Sequence, residues 1–149
     1  MKDDTAVTTE DIRDRNLILF GDPGSNRLIR DVLPKLAAGS GAQWSTDTVQ
    51  VGAARFAAAE HGLALIAPNP LPGATDLYVV FNSGHTYHDA ELRLSYMVFP
   101  RLGDWAVIKV GDTPQPPAAT PPGGPIPMPT VAETVVASGF FDDNWSAGK

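Results

Sequence analysis

Asn16-Leu17-Ile18-Leu19-Phe20-Gly21-Asp22-Pro23-Gly24-Ser25-Asn26 is the stretch on which the fold turns. Its first half is a continuous apolar run, the pattern of a strand buried on both faces, as in a parallel sheet covered by helices. Its second half is turn chemistry that stops the run, and Ser25-Asn26 caps a helix. That helix carries Leu28, Ile29, Val32, Leu33 and Leu36 at i, i+1, i+4, i+5 and i+8, one apolar stripe. The whole is a strand–loop–helix unit.

Working outward, Thr8 to Arg15 reads as a short helical turn with Thr8 as N-cap and Glu10 and Asp11 near the positive helix end. Downstream, Gly39-Ser40-Gly41 closes the long helix, and Thr48–Val51 with Arg55-Phe56 reads as a hairpin around Gly52. Two more apolar runs, Leu63–Ala67 and Leu77–Phe81, read as buried strands ended by Pro68-Asn69-Pro70 and Asn82-Ser83-Gly84. Leu92, Leu94, Tyr96, Met97 and Phe99 predict a second helix between Asp89 and Pro100, followed by strands at Trp105–Val110 and Thr134–Phe141. Gly111 to Pro129 holds eight of the fourteen prolines and reads as a flexible surface insertion between two neighbouring strands. The expected architecture is one α/β domain over residues 1–149: a small three-layer, mostly parallel sheet of Rossmann or flavodoxin type, with the Pro-rich insertion at 111–129.

Bulk properties narrow the function. At 149 residues and 43% hydrophobic content the chain can bury the core of one domain. A net charge of −6, with eleven scattered basic residues, repels a phosphate backbone, so nucleic acid is not an expected partner. Cysteine is absent, which removes disulfides, thiolate chemistry and cysteine-ligated metals. The polar start Met1-Lys2-Asp3-Asp4-Thr5 has no apolar signal-peptide core, and no apolar run approaches the roughly 20 residues of a membrane span. The chain is therefore expected to be soluble.

In a parallel sheet the loops leaving the carboxyl ends of the strands share one edge and hold the ligand. Asp22, Gly24, Ser25, Asn26, Asn69, Asn82, Ser83 and His85 lie in such loops and are the candidate ligand-binding residues. Gly24-Ser25-Asn26 sets backbone N–H groups at a helix start, suited to a carboxylate or phosphate. It matches neither GxGxxG nor a phosphate loop, and plain capping is the simpler reading. Ser25 or Ser83 with His85 and Asp22 or Asp142 are the convergent residues for a nucleophile, its base and an orienting carboxylate. The GxSxG elbow is missing, and turns that satisfy loop backbone are the plainer account. His85, His88 and Glu91 match no metal motif and read as a polar helix start, so neither metal nor cofactor is expected. His61 reads as a turn residue, and Trp44, Trp105 and Trp145 as packing.

Six segments taken in order carry a resemblance: Asp3–Thr8, Asn16–Asn26, Ala67–Pro70, Val80–Thr86, Asp104–Ile108 and Gly139–Asp142. Together they resemble the C-terminal region of large bacterial prolyl-oligopeptidase-like α/β-hydrolases. In that family the serine elbow lies in the hydrolase domain upstream, so no catalytic residue carries over. The resemblance implies an appended Rossmann-like module of an exported esterase or peptidase, with the Met1-Lys2 start read as that of an excised piece or a stand-alone relative. Three functions follow as expectations. The first is a non-catalytic accessory domain whose polar edge contacts a hydrolase domain, another protein or a small polar ligand. The second is a small serine hydrolase using Ser25 or Ser83 with His85. The third is a subunit that self-assembles through the Pro-rich segment or a sheet edge.

Overall fold

The computed structural model describes residues 1–82, 103–109 and 135–147. After a 3-10 turn at Asp4–Ala6, the first helix, α1 (Thr9–Asp14), begins at a reciprocal capping box. The Thr8 hydroxyl accepts the Asp11 N–H at 3.3 Å, and the Asp11 carboxylate accepts the Thr8 N–H at 3.0 Å. Two helix-start donors that would otherwise lack partners are thereby satisfied.

The apolar run becomes β1 (Leu17–Phe20), and the striped segment becomes α2 (Arg27–Ser40). Leu28, Ile29, Val32, Leu33 and Leu36 are all buried, as their spacing demands. Pro34 lies inside α2 on its exposed side, where the carbonyl of Arg30 that loses its N–H donor can meet water. Gly41 ends the helix at φ +69°, a left-handed conformation that glycine adopts without Cβ strain.

Next comes a small antiparallel sheet, β2 (Ala42–Trp44), β3 (Thr48–Val51) and β4 (Ala54–Ala57), in that spatial order. The expected hairpin is present, with β2 added to it. The main sheet contains β1, β5 (His61–Pro68), β6 (Tyr78–Asn82), β7 (Trp105–Lys109) and β8 (Val135–Gly139), ordered β1-β6-β5-β7-β8. Here the structure overturns the expected fold class. Of the named strand pairs described, β1 with β6 is parallel, whereas β5–β6, β5–β7 and β7–β8 are antiparallel. Among the described residues strands outweigh helices, 40% to 22%, so the mostly parallel three-layer Rossmann- or flavodoxin-like reading fails.

The physical reason is that an apolar run fixes neither a strand's direction nor, as β1 shows, the burial of both its faces. Central β5 does bury residues of both parities, from Gly62 to Leu65, but within antiparallel neighbours. Strand β1 is an edge strand in which Leu17 and Leu19 face the core while Ile18 and Phe20 are 61% and 48% exposed. The core lies between α2 and one face of the main sheet, with Val49 and Val51 of β3 closing one end. Ala64, Ala106 and Ile108 form a separate buried cluster of opposite strand parity. The predicted helix at 89–100 and the insertion at 111–129 lie outside the described residues.

Candidate functional site

Strands β1 and β6 run side by side in one direction, with Phe20 and Asn82 in register at their ends, so their exits define one edge of the sheet. Strand β5, antiparallel to β6, begins at that edge with His61. The loop leaving β1 folds on its own polar groups. Asp22 Oδ1 accepts the N–H groups of Gly24 at 2.7 Å and Ser25 at 2.9 Å. Ser25 Oγ accepts the Asp22 N–H at 3.0 Å and donates to the Asp22 carbonyl at 3.3 Å. Gly21, at φ +101°, makes the turn possible: a Cβ there would lie 2.6 Å from Ser25 Oγ. Asn26 then caps α2, its Oδ1 accepting from Leu28 and Ile29 N–H while its Nδ2 donates to the Phe20 carbonyl at 3.0 Å.

Beside this loop opens a cleft of about 740 Å³ between the β1 exit, the first turn of α2 and the small sheet. Asp22 and Gly24 of the loop, Arg30 of α2, Trp44 of β2, and Ala58 and His61 all line it. Trp44 is half-buried, with part of its ring packed against the core. His61 Nδ1 lies 2.9 Å from the Ala57 carbonyl, so Nδ1 carries the proton and Nε2 is left as an acceptor in the neutral ring. Arg30 makes no ion pair among the described residues. A cation, a carboxylate, an imidazole and an aromatic wall thus share one concavity of a size suited to a small molecule.

The eight predicted binding residues do not share an edge. Because β5 and β8 run against β1 and β6, the loops after them sit at the opposite edge. Asn69, after β5, is buried there: its N–H donates to the Leu77 carbonyl, its Oδ1 accepts the Leu71 N–H, and its Nδ2 has no partner among the described residues. Asp142, after β8, accepts the N–H groups of Asn144 and Ser146 at 2.9 Å each, in a turn beside Trp145. The parallel-sheet expectation that Asp142 joins Ser25 is therefore corrected: opposite edges hold them apart. Asp22, Gly24, Ser25 and Asn26 stay together, and Asn82 ends the neighbouring strand. Ser83, His85, His88 and Glu91 lie outside the described residues.

Sequence reading missed Arg30, Trp44 and His61 as cleft residues. Arg30 falls on the polar side of an amphipathic helix, where charge is the rule, and Trp44 needs the return of β2 to bring it back to α2. Trp105 and Trp145 do pack: Trp105 joins the core, and the Trp145 ring lies 5.9 Å from that of Tyr78 and 6.2 Å from that of Phe141. Among the described residues no group of three or more His, Cys, Asp or Glu is arranged to hold a metal.

The perturbed acids are not among the lining residues of the cleft and lie in the amino-terminal segment. The Lys2 ammonium, 2.6 Å from Asp11, together with the Thr8 N–H and hydroxyl, holds the Asp11 carboxyl well below the usual carboxylate range. Thr5 lowers Asp3, and Arg13 lowers Asp14. No helix among the described residues is long and apolar enough to cross a membrane. A scan against protein-family models and searches of curated proteins and of solved structures find no match to the chain.

Proposed function

We propose that the chain is a non-catalytic accessory domain that works by binding, with the cleft beside the β1 exit as its contact site for a partner domain or a small polar ligand. The observation that carries this reading is the use of the Asp22–Ser25 polar atoms. Among the described residues the Ser25 hydroxyl and Asp22 Oδ1, the two groups that come nearest to a hydrolytic pair, are engaged with loop backbone, while the adjoining cleft stays open. A serine nucleophile needs a base on its hydroxyl, but the donor to Ser25 Oγ here is a backbone N–H. The resemblance of six ordered segments to the tail of serine hydrolases supports the same role, since that family keeps its nucleophile in another domain. An exported parent enzyme is part of this proposal.

Fluorophosphonate labelling read by intact mass tests it. The folded chain should gain no adduct, and Ser25→Ala and Ser83→Ala should behave like the parent. Stoichiometric labelling abolished by either substitution would establish an activated serine and replace this reading with the hydrolase one.

A further inference from the structure

Resting on the reading of the cleft as a binding site, we propose that its ligand is a zwitterion of amino-acid type. Its carboxylate would meet Arg30, its ammonium Asp22, and its apolar side chain the Trp44 wall. Three features of the cleft lead there. First, Arg30 lines it as a cation with no ion pair among the described residues, and a guanidinium fork matches a carboxylate in two parallel hydrogen bonds.

Second, the same cleft carries the opposite charge. Asp22 engages Oδ1 with the Gly24 and Ser25 N–H groups, while Oδ2 takes no hydrogen bond from another described residue. Asp22 and Arg30 border one cavity without pairing across it, so the cavity is lined by one positive and one negative group. A simple anion would meet Asp22 repulsively and a simple cation would meet Arg30 so, whereas a zwitterion satisfies both. His61 Nε2, the unused ring nitrogen, adds an acceptor to the lining.

Third, the remaining wall is apolar and partly aromatic. Trp44 is half-buried and held by the core, so its ring is a fixed surface against which an aliphatic or aromatic side chain loses water without ordering the protein further. About 740 Å³ is ample room for one such molecule.

The test uses the full chain, ¹⁵N-labelled, with L-phenylalanine as probe. N-acetyl-L-phenylalanine, which lacks the ammonium, and L-phenylalaninamide, which lacks the carboxylate, serve as single-charge controls. The expected result is saturable shifts at the Gly24, Thr46 and His61 amides, with each blocked probe binding about tenfold weaker or worse, the loss of one charge-assisted contact. Arg30→Gln should abolish discrimination against the amide. Asp22→Asn, which keeps an Oδ1 acceptor for the loop, should abolish discrimination against the N-acetyl probe. Equal affinity for all three probes would overturn the zwitterion proposal while leaving a binding site in place. No saturable shift at these amides in a folded sample would overturn it outright. Failure of the broader binding reading has a separate signature, the covalent adduct at a serine.

Discussion

At the scale of single residues, Asn26 ties the candidate site to the fold. One carboxamide caps two helix N–H groups and returns a hydrogen bond to the last carbonyl of β1. Asn26→Ala is expected to cost about 1–3 kcal/mol in urea unfolding, a lost cap plus an unpaired strand carbonyl. Asn26→Asp, which keeps the acceptor and loses the donor, should cost less. Asp11 predicts a pH effect whose sign follows from its lowered carboxyl. The charged form is favoured by folding, so the capping box contributes above the unfolded value near about 4 and is lost as pH falls through the folded value. A carbon-detected titration should place the Asp11 midpoint well below that of an ordinary aspartate, and Lys2→Ala should raise it. Both caps were legible in the sequence, because capping is a local matter of residue type and spacing. Arg30, Trp44 and His61 were not, because their meeting depends on three elements folding back on one another.

At the scale of elements, α2 was readable from its stripe even though Pro34 interrupts its ladder. Leu28 to Leu36 bury one face against the sheet, and that burial outweighs one missing hydrogen bond. Pro34→Ala should therefore stabilise the domain by about 2 kcal/mol, an interior penalty of ~3 less ~1 for the freer unfolded chain, measurable as a raised melting temperature. Strand positions other than that of β2 were equally legible, and strand directions were not. Yet a directional signal was present: the connection from Pro68 to Tyr78, with Pro70, Pro72 and Gly73 in it, falls short of the dozen or more residues that a helical crossover takes. That shortness makes β5 and β6 antiparallel neighbours. Attending to the apolar character of each run hid the length of what joined them.

At the scale of the molecule, the same reversal of β5 and β8 divides the polar loops between two edges, and among the described strands β1 stands at the margin of the sheet. Its outward side chains, Ile18 and Phe20, are apolar where edge strands are usually guarded by charge. The net charge of −6 opposes contact between copies, so light scattering should find association through this edge rising with ionic strength, and Ile18→Lys should remove that rise.

The cleft takes His61 into its lining because β5 runs against β6 and so starts at the edge where β1 ends, and the same direction puts Asn69 at the opposite edge. A NOESY experiment on the labelled chain tests the direction without altering a residue. Antiparallel pairing predicts strong Hα–Hα cross-peaks at alternate partners of the ladder, drawn from Leu65–Phe81, Ile66–Val80 and Ala67–Val79. Their absence, with only the Hα–HN pattern of parallel strands in their place, would contradict the fold and return all four polar loops to one edge.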